Sequence, residues 1–124
     1  MISLELARVA RAGAMWRTTW RVRSDDGRKR TLISAHAPHV RFRSEPTAIG
    51  RPLTRDLEFA LDVRTDGAPG PLDTNPFLIL VVRDEDATWR LLYRLSVTIG
   101  GDGTPHAAVG PVTTQRAGTI KEEP

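Results

Sequence analysis

Cysteine is absent from all 124 residues of the chain. Its absence excludes a disulfide-stapled scaffold, a thiolate zinc site and a cysteine nucleophile, and it is compatible with a reducing compartment. A secretory signal is not indicated, because Glu5, Arg8 and Arg11 interrupt the apolar residues near the N-terminus. The longest apolar run, at 77–82, is far too short to cross a bilayer. We therefore expect a cytoplasmic protein with no membrane partner.

Catalytic and cofactor motifs are also missing from the sequence. It contains no Gly-x-Ser-x-Gly nucleophile elbow, no P-loop and no dinucleotide fingerprint. The glycine-rich stretches GAPG at 67–70 and GGDG at 100–103 are typical of tight turns. We predict that the protein is not an enzyme and that it has no catalytic residues and no cofactor. An enzyme with a site in the 38–55 connection stays as an alternative.

Residues that could bind a metal ion are few and scattered. His36 and His39 flank a proline at the end of a strand and His106 is distant in the chain, which does not match the fixed ligand positions of a zinc site. Aspartates in alternate turns would gather at one end of a sandwich, where their oxygens could hold calcium, although tight turns favour aspartate in any case. These aspartates are Asp25, Asp26, Asp66, Asp73 and Asp102. We predict no metal site, with calcium at these turns as the alternative.

Lysine is scarce among the basic residues, since only Lys29 and Lys121 of the 18 Lys and Arg residues are lysines. The 15 Asp and Glu residues leave a formal net charge of +3, which does not by itself indicate a partner. A preference for arginine can reflect the need for planar guanidinium forks that bind carboxylates or phosphates. It can also reflect the codon usage of a GC-rich genome. Only the placement of the arginines in the fold distinguishes the two explanations.

The segment at 15–24 alternates between apolar and polar side chains, with both tryptophans on one face and three arginines on the other. This period of two is typical of a β-strand with one buried face. The dipeptide Asp26-Gly27 then predicts a two-residue hairpin turn into a second strand. In that register Trp20 faces Ile33, and Arg23 lies directly opposite Arg30. Such a like-charge pair would destabilise the sheet.

Similar patterns predict strands at 56–63, 77–83, 88–99 and 106–114, a short strand at 40–43, and a first strand near 2–10 that would also suit a helix. About seven strands predict an all-β fold, an antiparallel β-sandwich that is immunoglobulin-like in architecture only. The alternative is an open β-barrel or an α+β fold with an N-terminal helix. Residues 1–116 would form a single domain and 117–124 a C-terminal tail. The predicted core contains Trp16, Trp20, Phe59, Ile79, Trp89, Tyr93 and Leu95.

Seven arginines on the outward faces are the candidate residues for binding a partner or an anion, because a merely solvated face would mix the two signs of charge. They are Arg17, Arg21, Arg23, Arg28, Arg30, Arg90 and Arg94. The three tryptophans and Tyr93 lie on apolar faces, where they could not stack on bases.

We therefore predict a non-catalytic protein–protein interaction or assembly module in a bacterial-type cytoplasm. Its partner would be another protein or its own copies, so a homo-oligomer is possible, and an uncovered first or last strand could add to a neighbour's sheet. The alternative is nucleic-acid or other polyanion binding through the arginine-rich hairpin face.

Overall fold

The computed structural model describes residues 2–72 and 75–117, and within them the chain forms strands and no helix. The all-β prediction is confirmed, whereas the alternative with an N-terminal helix is wrong, because the first strand pairs with the second along its length. No helix in this part of the chain is suited to spanning a membrane. The strands are β1 (Ile2–Ala12), β2 (Met15–Ser24), β3 (Arg30–His39), β4 (Phe42–Leu53), β5 (Asp56–Thr65), β6 (Gly70–Pro71), β7 (Phe77–Arg83), β8 (Thr88–Ile99) and β9 (Pro105–Ala117).

These strands form one antiparallel sheet that curls into a half-barrel. The order is β1-β2-β5-β4-β3-β7-β8, and β9 pairs with the other edge of β8. The short β6 pairs with the last residues of β8. The sheet bends between β4 and β5, which pair only at Phe42–Thr65 and Arg43–Arg64. A seven-stranded sandwich is not confirmed, while the open-barrel alternative fits this arrangement.

The two edges of the curled sheet are β1 and β9, as expected for the first and last strands. Each has one hydrogen-bonded neighbour, β2 for β1 and β8 for β9. The two strands approach each other without forming a ladder in the described part of the chain. A slot therefore remains along the side of the half-barrel where a closed barrel would have its last row of hydrogen bonds.

The core lies between the wall formed by β1, β2 and β5 and the wall formed by β3, β7 and β8. Trp20 is 0% exposed, and its indole N–H donates to Thr18 Oγ1 at 2.8 Å, so this polar group is satisfied inside the core. The core prediction holds for Trp20, Phe59, Tyr93 and Leu95. It is wrong in part for Trp16 and Trp89, which are half-buried, and for Ile79, which is buried outside the core cluster.

The predicted hairpin between β2 and β3 is wrong. β2 pairs with β1 and β5, whereas β3 pairs with β4 and β7, so the segment between them crosses from one wall to the other. The two-residue turn requires positive φ at both central positions. Of these two residues only Gly27 has it, with φ of 70°, because no residue other than glycine has a positive φ in the described part of the chain. Arg23 and Arg30 therefore do not face each other, and the expected repulsion is absent.

The strands expected at 56–63, 77–83 and 88–99 are confirmed, as is the last strand, which is longer than expected. The 38–55 connection instead contains the end of β3, a turn at 40–41 and β4, a full strand that forms a hairpin with β3. The short strand predicted at 40–43 is therefore wrong at its start, and Phe42 and Arg43 begin β4. Two register shifts between β3 and β4 place extra residues on β4 near Pro46 and Gly50. Such bulges accommodate residues that normally interrupt strands, which explains why the sequence pattern missed β4. The predicted tail begins at Ala117, the last residue of β9, and its residues 118–124 lie outside the described part of the chain.

Candidate functional site

Three of the seven candidate arginines lie on the outer face of the β1–β2–β5 wall. The alternation of β5 places a carboxylate directly opposite each of them on β2. Hydrogen bonding and the nearby guanidinium lower the pKa of Asp62 and of Glu58. The pairs are Arg17 with Asp62, Arg21 with Glu58 and Arg23 with Asp56, at shortest N–O distances of 2.9, 2.8 and 3.2 Å. This face therefore carries paired positive and negative side chains and is not a uniformly positive surface.

Two further candidates, Arg28 and Arg30, belong to the crossing segment and the start of β3. Arg30 donates two hydrogen bonds to the Asp26 carboxylate, at 2.9 and 2.7 Å, and its side chain is only 11% exposed. These bonds, with that from the Arg28 backbone N–H, hold the pKa of Asp26 far below its usual range. The Arg28 guanidinium lies 3.6 Å from Asp84, and its side chain is 56% exposed. Arg30 is therefore committed to the fold, whereas Arg28 is held weakly.

The last two candidates, Arg90 and Arg94, lie on the outer face of β8 and differ from the other five. Neither has a carboxylate partner among the residues that the structure describes. Arg94 instead stacks on Phe77, with its guanidinium carbon 5.6 Å from the ring centroid. Arg90 lies opposite Val81 of β7. Their positive charges are therefore available to carboxylates of a partner.

Between these two arginines lies an apolar surface that we call the outer β7–β8 patch. On β7, Leu78 and Leu80 point into the core, so the alternate side chains point outward. Leu92 of β8 lies opposite Ile79 and extends the same surface. None of the patch residues belongs to the core cluster or packs against it. The patch consists of Phe77, Ile79, Val81 and Leu92.

No described element covers the outer β7–β8 patch. The main neighbours of β7 are β3 and β8, with which it pairs within the sheet. Ile79 is nevertheless only 6% exposed, because it lies between His36 on β3 and Leu92 on β8. The other three patch residues are half-buried. An antiparallel sheet normally presents polar side chains on its uncovered face, so this apolar surface is unusual for an exposed position.

His36 lies at the border of the patch and is half-buried. Burial, followed by the positive charge of Arg90, lowers the pKa of this imidazole. The neutral form is therefore favoured at pH 7, and His36 adds no charge to the apolar centre of the surface. The positive charge at this face comes from the arginines at its margins.

The sequence indicated the patch without identifying it as a surface. The run FLILVVR at 77–83 is apolar on both faces, which predicts a strand covered on both sides. Only the inner side is covered in the described structure. The lack of alternation between apolar and polar residues was the signal in the sequence for an apolar outer face. The sequence does not show that this outer face is left uncovered.

The described residues contain no group of three or more histidine, aspartate or glutamate side chains arranged to hold a metal ion. Asp26 forms an ion pair with Arg30, and Asp102 accepts a hydrogen bond from the Thr104 backbone N–H in its own turn. Asp73 lies outside the described residues. Asp26 and Asp102 thus act in local structure.

In comparisons with known proteins, no family model, curated protein or solved structure matches the chain.

Proposed function

We propose that the protein is a non-catalytic interaction module that binds another protein through the outer β7–β8 patch. The observation that carries this proposal is that β7 is apolar on both faces while described elements cover only its inner face. Uncovered apolar surface of this kind marks sites of association in soluble proteins. Burying it against a partner would remove Phe77, Val81 and Leu92 from water, with a gain proportional to the apolar area buried.

The composition of the surface supports a protein partner. Interface centres are depleted of charge and enriched in aromatic residues and arginine, and this surface has an apolar centre with Arg90 and Arg94 at its margins. Those guanidiniums lack carboxylates in the described chain, so a complementary partner would bring apolar side chains flanked by Asp or Glu. Two copies joined through the same patch would instead bring four arginines together, which favours a different protein over self-association.

The test compares variants of the full chain that place a glutamate in the patch with a control variant that places it elsewhere on β8. Arg90→Glu and Val81→Glu change the patch, while Ser96→Glu changes an exposed outward position on β8 beyond it. Each variant is first checked for a cooperative melt and for its mass by light scattering. Each is then immobilised and exposed to extract of the source cells, with and without nuclease treatment, and the captured proteins are quantified.

The proposal requires one protein that wild type and Ser96→Glu bind saturably and that Arg90→Glu and Val81→Glu lose. A carboxylate-to-arginine change in that protein should restore binding to Arg90→Glu, which non-specific capture would not do. Equal binding by all four chains would overturn the proposal. A doubled mass that Val81→Glu abolishes would show self-association instead, and capture that disappears on nuclease treatment would favour the polyanion alternative.

A further inference from the structure

A cavity of about 330 Å³ opens at the slot between β1 and β9, within the half-barrel. Its walls are mostly apolar and come from the start of β1, the inner faces of β7 and β8, and the end of β9. The size falls at the lower end of the range for small-molecule pockets, and the mouth of a barrel is a common place for them. The apolar wall residues are Ile2, Val82, Trp89, Leu91, Tyr93 and Val112.

Hydrogen bonds fix the two aromatic walls of this cavity. The indole N–H of Trp89 donates to Asp84 Oδ2 at 3.1 Å, and Asp84 Oδ1 accepts the backbone N–H groups of Asp86 and Ala87, both at 2.8 Å. The Tyr93 hydroxyl donates to the carbonyl oxygen of Ile2 at 2.7 Å. The side chains that shape the apolar space are thus held before any ligand arrives, which reduces the entropy cost of binding.

Guanidiniums and carboxylates both border the cavity. Three guanidiniums lie at or beside it, since Arg28 and Arg30 line it and Arg116 lies 5.9 Å from the Trp89 ring centroid. Asp84 pairs with Arg28 and Asp26 with Arg30, and Arg30 donates three hydrogen bonds, one to Ser24 Oγ and two to Asp26. Within the described part of the chain, the ion pair of Arg28 is its long 3.6 Å contact to Asp84, with Glu85 and Asp86 nearby, so its guanidinium has donors left for another anion.

We propose that this cavity binds a small amphipathic anion, with its apolar body against Trp89 and Tyr93 and its carboxylate on Arg28. Thr114 lines the same opening and its hydroxyl provides a second polar group for the anionic end. The site is independent of the interaction surface proposed above. Leu91 and Tyr93 point inward from β8, whereas Arg90, Leu92 and Arg94 point outward.

Octanoate is the probe, with octanol and octylamine as matched molecules that lack the negative charge or reverse it. Each is titrated into the full chain by calorimetry, with tryptophan fluorescence as a second readout because Trp89 forms a wall of the cavity. Arg28→Gln removes the proposed anion contact, and Arg55→Gln is a matched exposed control outside the cavity. Thr114→Trp fills the opening from an exposed position on the edge strand, and Val112→Phe fills it from the wall should the first variant fail to fold.

The expected result is saturable one-to-one binding of octanoate that Arg28→Gln weakens about tenfold, as loss of one charge-assisted contact implies. Octanol binding should be unaffected by Arg28→Gln, and a filling variant should abolish binding of both. No saturable octanoate binding at about 1 mM, or equal binding of octylamine, would overturn the proposal. Binding that appears only in a variant ending at Ala117 would also overturn it, since the chain's own last residues would then occupy the cavity.

Discussion

Tyr93 donates its phenolic hydrogen to the backbone carbonyl oxygen of Ile2 at 2.7 Å, across a sequence separation of 91 residues. The bond ties the start of the edge strand β1 to β8 on the opposite wall. Tyr93 is 2% exposed, and burial raises the pKa of its hydroxyl, so the group stays protonated and able to donate. One side chain thus holds the slot side of the half-barrel together and shapes the cavity beside it.

Replacing Tyr93 with Phe removes this hydrogen bond and keeps the ring. The free energy of unfolding should fall by about 1–2 kcal/mol, because the carbonyl of Ile2 loses its donor. Urea denaturation measures the change. Amide exchange should accelerate at the start of β1 more than in the centre of β8, and equal acceleration in both strands would show that the bond does not anchor β1.

The two tryptophans that the sequence placed together in the core should differ in their contribution to stability. Trp20→Ala should cost about 3–5 kcal/mol, since Trp20 is fully buried. Trp89→Ala should cost less, because Trp89 is half-buried and already borders a cavity. Chemical denaturation of both variants tests this order, and a smaller loss for Trp20→Ala would mean that the assignment of the inward face is wrong.

Acid should weaken the segment that crosses between β2 and β3. Folding lowers the pKa of Asp26, so its contribution to stability is complete above the unfolded value of about 3.9 and is lost as the pH falls below it. The melting temperature of Asp26→Asn should therefore lie below that of wild type near pH 6, and the difference should shrink below about pH 4. Glu85→Gln changes an exposed carboxylate without an ion pair in the described chain. The difference in melting temperature between this variant and wild type should not depend on pH in this way. A pH-independent difference for Asp26→Asn would contradict the ion-pair explanation.

Charge reversal should separate the arginines that support the fold from those at the proposed interface. Arg30→Glu should lower the melting temperature strongly, because it would place a second carboxylate beside Asp26. Arg90→Glu should change it little, because Arg90 has no carboxylate partner among the described residues and lies on an exposed position. Thermal melts at pH 7 measure both effects. Equal losses would indicate that Arg90 also has a structural role.

Heparin retention tests the polyanion alternative separately. If the outer face of the β1–β2–β5 wall binds polyanions, replacing Arg17, Arg21 and Arg23 with Gln should lower the salt concentration at which the protein elutes. We expect little change, because each of these arginines already lies beside a carboxylate on β5. A large shift would show that the carboxylates do not neutralise this face. The slope of affinity against salt would then report the number of phosphates contacted on duplex DNA.

Local sequence patterns determined the strands and the direction of most side chains. Alternation at 56–63 and 88–99 requires one buried face in any sheet, so these strands could be predicted without knowledge of their neighbours. The same reasoning failed for β4, where Pro46 and Gly50 interrupt the pattern and bulges in the pairing with β3 absorb them.

The tertiary structure alone decided which strands became neighbours. The turn at Asp26-Gly27 suggested that β2 and β3 pair, yet strand pairing depends on long-range hydrogen bonds, and β2 instead lies between β1 and β5. That choice placed carboxylates opposite Arg17, Arg21 and Arg23 and left Arg90 and Arg94 beside an uncovered apolar surface. The sequence by itself determined that these five arginines point outward. Their partners, and hence their role, follow from contacts between residues far apart in the chain, which no local pattern encodes.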